Sequence, residues 1–189
     1  VNLPGKHNVL NALAAAAVAL ACDIELETVQ QALATFSGIS RRSEFIGDFN
    51  GCVLIDDYGH HPKEIMATLQ GLRAAYPGRR LCWIYQPHRY SRTQQLFDDL
   101  VMALSEVDML MLLEIYAAGE APITGIDSKA LCRAIRQRGK VEPIYIADIQ
   151  QVMDMLPGLV QQNDVIVTQG AGSIAKLTEQ IQSWLVNRE

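Results

Sequence analysis

Three short stretches of this sequence hold side chains able to bind charge and move protons. Asp56-Asp57-Tyr58-Gly59-His60-His61-Pro62 sets two carboxylates beside two imidazoles, and Gln86-Pro87-His88-Arg89-Tyr90-Ser91-Arg92 adds a third imidazole and two guanidinium groups. Glu114 through Glu120 contributes Tyr116, Gly119 and Glu120. Arg89 and Arg92, three apart at a helix entrance, can point to one place, and guanidinium forks match a carboxylate or a phosphate. An ion pair with a neighbouring acid is the plainer use of the same residues. His60, His61 and His88 with Asp56 and Asp57 have the donor types of a divalent metal site, as a metal-dependent phosphohydrolase would need. Their spacing matches no recognised metal motif, so no metal ligand is assigned.

Two further patterns bear on nucleotides. Gly170-Ala171-Gly172-Ser173-Ile174-Ala175 satisfies G-x-G-x-x-A between a strand and a helix. A dinucleotide fingerprint opens the first βαβ unit and needs an acid about 20 residues on. Here only the closing helix follows, so the glycines are expected to make a tight turn and close packing, with backbone N–H groups available to a ligand. Asn8 and Asn11 share a helix face. Each amide can read a base edge, although spacing alone favours capping.

The elements that must hold these residues alternate. Two helical segments, about 7–21 and 25–36, are broken by Ser37, Gly38 and Ser40. Short apolar runs then appear at Cys52–Asp56, Leu81–Tyr85, Met109–Glu114, Ile144–Ile146 and Val165–Thr168. Helical patterns at Pro62–Ala75, Thr93–Ser105, Ser128–Arg138, Ile149–Val160 and Ser173–Val186 separate them. This predicts an α/β fold, a Rossmann-like, mostly parallel sheet with helices on both faces. Ligands of such sheets bind beyond the carboxyl ends of the strands, where all three polar stretches fall. The domain is expected to span residues 40–189, with 1–39 the helical tail of a preceding domain. There is no internal repeat and no low-complexity linker.

The 189 residues are 49% apolar and 20% charged, enough for a real core and too apolar for disorder or a fibrous repeat. A net charge of −5 argues against binding nucleic acid or an anionic membrane. From Tyr58 to Gln95, however, six cations (Lys63, Arg73, Arg79, Arg80, Arg89 and Arg92) face one acid, Glu64. That makes the stretch +5 and leaves −10 for the rest. Such an island suits an anionic small molecule; solvated helix faces account for Lys63, Arg73, Arg79 and Arg80. Cys22, Cys52, Cys82 and Cys132 form no C-x-x-C pair, and each sits among apolar residues, as expected for reduced core cysteines in the cytoplasm. Lys6 and His7 ahead of the Ala-rich run to Cys22 imitate a secretory signal. Asn8 and Asn11 interrupt it, and a buried soluble helix explains the run without export. Residue 1 is Val and the first Met is Met66, which suggests a piece of something longer.

Taken together these segments resemble the Mur ligase family. The motifs that carry the likeness are Gly5-x-His7-Asn8-Val9-x-Asn11, Arg41-Arg42-x-Glu44, Asp56 through Pro62, Gln86 through Thr93, Tyr116-Ala117-Ala118-Gly119-Glu120 and Gly170-Ala171-Gly172, in order along nearly the whole chain. The Gln86–Thr93 stretch points to the branch that acts on L-alanine, because the related ligase recycling a murein tripeptide differs there. Ser43 departs from the family, which tends to have Phe. The resemblance implies a cytoplasmic enzyme of peptidoglycan synthesis that uses ATP and Mg²⁺ to join UDP-N-acetylmuramate to L-alanine through an acyl phosphate. It implies that Asn8 and Asn11 contact adenine, that Arg42 and Asp57 hold the ATP phosphates or ribose, and that Tyr58, His60, Arg89 and Arg92 line the amino-acid pocket. A small zwitterion needs positive charge for its carboxylate, and its amine must be neutral to attack, so His60 can accept a proton. The family's phosphate loop, its N-terminal domain and central-domain Mg²⁺ ligands have no counterpart here, so these residues alone are expected to be catalytically silent.

Overall fold

The computed structural model describes residues 5–36 and 38–188; Val1 and the expected break at Ser37 lie outside them. Helices α1 (Lys6–Ala21) and α2 (Leu26–Thr35) come first. They are followed by β1 (Glu44–Phe49), β2 (Cys52–Asp57), α3 (Pro62–Ala75), β3 (Leu81–Tyr85), α4 (Tyr90–Gln95), α5 (Phe97–Leu104) and β4 (Met109–Leu113). The chain continues through α6 (Ser128–Arg138), β5 (Pro143–Ile146), α7 (Ile149–Leu159), β6 (Val165–Gln169) and α8 (Ala175–Val186).

The strands form one sheet in the order β1-β2-β6-β3-β4-β5. All neighbours are parallel except β1 and β2. The expected α/β architecture is therefore present. Successive strand residues face opposite sides, and both sides are covered, which is why the strands are apolar throughout rather than alternating. Val53, Ile55, Trp83, Tyr85, Leu110 and Leu112 pack under α3, α5 and α6. Leu54, Cys82, Ile84, Met111 and Ile166 pack under α7 and α8.

Local chemistry sets several boundaries. His61 accepts from the Lys63 N–H at 3.1 Å while Glu64 accepts from the His61 N–H at 3.0 Å, a capping box with Pro62 at the first helical position of α3. Asp127 caps α6, which ends at Gly139 in the left-handed conformation (φ 69°).

Several expectations need correction. Strand β1 was not foreseen, because Glu44, Gly47 and Asp48 hide its pattern; it is an edge strand that gains its ladder only from β2. The segment expected as one helix over Thr93–Ser105 is two, beginning at Tyr90 and broken at Leu96. The Ala-rich run is helical but not buried: α1 packs mainly on α2, and Leu13 and Val18 are 61% and 65% exposed. Cys22, at its end, is exposed as well, while Cys52, Cys82 and Cys132 are core residues. No helix among the described residues is long and apolar enough to cross a membrane.

Candidate functional site

The three polar stretches leave the carboxyl ends of β2, β3 and β4, and the glycine turn leaves β6 between the first two. Two buried aspartates at the end of β2 organise this edge. Asp57 Oδ1 accepts from the Gly59 N–H and from Gln169 Nε2, each at 2.8 Å, and its Oδ2 accepts from the Ser43 N–H at 2.8 Å. Asp56 accepts from Thr168 and Thr178 hydroxyls at 3.0 and 3.2 Å and pairs with Arg41 Nε at 2.9 Å. Arg41 Nη2 reaches the Gly170 carbonyl at 2.7 Å, and its guanidinium lies over the Tyr58 ring at 5.2 Å. Arg41 and Ser43 both have positive φ, 60° and 47°. These bonds hold a backbone that is costly for non-glycine residues, and so they aim Arg42, which lies between them.

A row of rings crosses the strand ends. Tyr58 and His60 meet edge to face at 5.7 Å, His60 and His88 lie 5.5 Å apart, and His88 stacks on Tyr116 at 5.6 Å. Hydrogen-bond partners dictate the tautomers. His60 Nδ1 lies 3.1 Å from the Tyr58 carbonyl, which can only accept, so Nδ1 carries a proton and, in the neutral ring, Nε2 offers a lone pair. His88 Nδ1 lies 3.2 Å from Arg92 Nη1, which can only donate, so His88 accepts there and presents Nε2–H. Burial lowers the pKa of His88, and the charges of His60, Arg92 and Arg89 lower it further, which keeps this ring neutral. Arg92 thus acts directly on this imidazole. Among the described residues neither Arg89 nor Arg92 forms an ion pair.

Beside this row lies a cleft of about 470 Å³ lined by Asn8, Asn11, Arg42, Asp57, Lys63 and Glu64, among others. It brings together the four residues expected to meet ATP, although Asn8 and Asn11 come from α1 and the others from the sheet edge. Glu64 joins cleft to row: its Oε2 accepts from the His60 N–H at 2.9 Å and its Oε1 lies 3.4 Å from Arg42 Nη1. Burial raises the Glu64 pKa, but the His60 and His61 N–H groups, with the charge of His60 and a hydrogen bond from Arg42, outweigh it and hold the carboxyl below its ordinary range. Glu64 was not singled out as a site residue; the His61-x-x-Glu64 capping pattern was the signal available.

The glycine turn packs closely, as expected. A Cβ on Gly170 (φ 150°) would lie 2.8 Å from the Gln86 carbonyl oxygen, and one on Gly172 would lie 2.6 Å from Tyr116 Cγ. The cations expected on solvated faces are largely engaged. Arg73 grips both oxygens of Asp108 at 2.7 Å, Arg80 does the same to Asp164 at 3.0 and 2.7 Å, and Arg79 caps the Asn163 carbonyl at 2.7 Å. Lys63 remains exposed. Among the described residues no three His, Cys, Asp or Glu side chains are placed to share a metal ion. A roomier groove of about 980 Å³ runs between α3 and α5 over Met66 and Met102. It collects none of the strand-end imidazoles or guanidiniums, so we place the site at the strand ends.

Residues 41–172 match the family described as Mur ligase, glutamate ligase domain. The UDP-N-acetylmuramate-alanine ligase MurC of Thermotoga maritima superimposes with a TM-score of 0.79 at 26% identity, over 99% of this chain and 39% of its own. A murein peptide ligase, mpl, of Psychrobacter arcticus gives 0.71 at 27%, over 97% and 38%. The MurF ligase of Thermotoga maritima, solved with ADP, gives 0.70 at 18%, over 99% and 40%, a likeness of fold alone. The chain thus spans about two fifths of the length of these ligases. With the family profile spanning the sheet edge and all three strand-end stretches, this chain belongs to the Mur ligase family.

Proposed function

We propose that this chain is the part of a cytoplasmic ATP-dependent amide ligase that contacts L-alanine and nucleotide, joining L-alanine to UDP-N-acetylmuramate through an acyl phosphate in peptidoglycan precursor synthesis. Its partners in that reading are L-alanine, ATP, UDP-N-acetylmuramate and the N-terminal and central domains of the same enzyme. The observation that carries it is the row Tyr58–His60–His88, flanked by Arg92, with Arg89 three residues away at the start of the same helix. A carboxylate held by the guanidinium pair leaves the amine near His60, whose Nε2 lone pair takes its proton. Tyr58, stacked under Arg41 and Arg42, closes the other side.

The cleft fits a nucleotide. Asn8 and Asn11 offer amides to adenine, and Arg42 offers charge to ribose or phosphates. Asp57, both of whose oxygens already receive hydrogen bonds, serves by fixing the turn that aims Arg42. By the family resemblance the Mg²⁺ ligands belong mostly to the central domain, and no step here runs through the metal.

The competing substrate is a murein tripeptide, since a murein peptide ligase matches with comparable identity. Titrating the complete ligase with L-alanine and with the tripeptide separates the two. L-alanine-dependent phosphate release with UDP-N-acetylmuramate supports the proposal, and release that requires the tripeptide sinks it.

A further inference from the structure

The loop from Ile115 to Glu120 has no role in the chemistry above, yet it grips the residues that do. Arg89 is the N-cap of α4, and its side chain makes no capping hydrogen bond. Its exposed N–H groups are satisfied from the other loop instead. Glu120 Oε2 accepts from the Ser91 N–H at 2.9 Å and Oε1 from the Ser91 hydroxyl at 2.6 Å. These Ser91 bonds hold the Glu120 carboxyl below its ordinary range. Tyr116 completes the grip: its carbonyl accepts from the Arg89 N–H at 2.8 Å, and its own N–H donates to the Pro87 carbonyl at 2.8 Å. Gly172 leaves the space that the Tyr116 ring occupies.

What is held is strained. Arg89 has φ 71°, a conformation that non-glycine residues keep only where their surroundings impose it. An α4 freed of these bonds would let Arg89 relax out of that conformation and lose the direction its side chain now takes.

We propose that Glu120 is a positioning residue that caps α4 from a neighbouring loop and thereby aims Arg89 at the substrate carboxylate. The proposal rests on the functional reading above. In the complete ligase, Glu120→Ala raises KM for L-alanine about tenfold, the loss of roughly one charge-assisted hydrogen bond, while kcat and KM for ATP stay within about twofold. Glu120→Gln, which keeps an acceptor oxygen, recovers part of the loss. The double variant Glu120→Ala with Arg89→Ala is no weaker in L-alanine binding than Arg89→Ala alone, because Glu120 acts through Arg89. An unchanged KM in Glu120→Ala, or losses that multiply in the double variant, overturns the proposal. Amide exchange reads the same grip without substrate: residues 88–95 exchange faster in Glu120→Ala than in the parent enzyme while the core strands do not. Equal exchange there also overturns it. If the parent enzyme shows no L-alanine-dependent phosphate release, the functional reading fails, and the exchange comparison alone decides the role of Glu120.

Discussion

At the scale of single residues, two histidines 5.5 Å apart are given different chemistry by their neighbours. A carbonyl fixes His60 with a free Nε2 lone pair, while a guanidinium fixes His88 as an acceptor at Nδ1 and a donor at Nε2. His60→Gln is therefore expected to lower kcat by about 10²–10³-fold, the scale of a general base. His88→Gln, which can still accept from Arg92, should act mainly on KM for L-alanine. Steady-state kinetics on the two variants test this, and equal kcat losses would contradict it. Both histidines stood out in the sequence as residue types at strand ends. Their division of labour did not, because it depends on a carbonyl and a guanidinium whose positions only the fold supplies. Arg73 and Arg80 were misjudged for the same reason: Asp108 and Asp164, their partners, lie far away in sequence.

At the scale of elements, the parallel strands were legible because burial on both faces leaves an unbroken apolar run, as in Met109–Leu113. Strand β1 was not, since half its pattern is polar and it exists by pairing with β2. The break at Leu96 has no local signal because Gln94, Gln95 and Leu96 are themselves good helix formers, and the capping that starts α4 comes from a loop some thirty residues away. The cleft joining α1 to the sheet edge was foreshadowed only by the family resemblance, since nothing in local spacing sets Asn8 and Asn11 opposite Arg42. The turn after β6 offers a test at this scale. A methyl on Gly170 meets a backbone carbonyl, which cannot swing aside, so Gly170→Ala should cost about 1–3 kcal/mol and lower Tm by several degrees. A calorimetric Tm equal to that of the parent would show that β3 and β6 can part more easily than this packing implies.

At the scale of the whole molecule, the charge island divides by use. Arg73, Arg79 and Arg80 lock strand and loop ends together, and Arg89 and Arg92 are left for a ligand. The locks predict acid sensitivity. Burial raises the pKa of Asp164 and of Asp108, but hydrogen bonds from Arg80 and Arg73 respectively, with others, bring both below their ordinary value. The stability they supply is complete above about pH 4, where these carboxyls ionise in the unfolded chain, and drains away as pH falls through the lower folded values. Denaturation midpoints should hold steady from neutral pH to about pH 5 and drop below about pH 4, with a shallower drop in Asp164→Asn. The purified 189-residue chain should release no phosphate from ATP with L-alanine present; L-alanine-dependent release would contradict the assignment of the phosphate loop to another domain. The claim that L-alanine is held at the carboxyl ends of β2 and β3, on either side of β6, is tested most directly by KM for L-alanine in the Arg89→Ala form of the complete ligase. An increase of one to two orders of magnitude, with KM for ATP unchanged, is predicted from the roughly 1.5–3 kcal/mol of a charge-assisted hydrogen bond. An unchanged KM for L-alanine would contradict it.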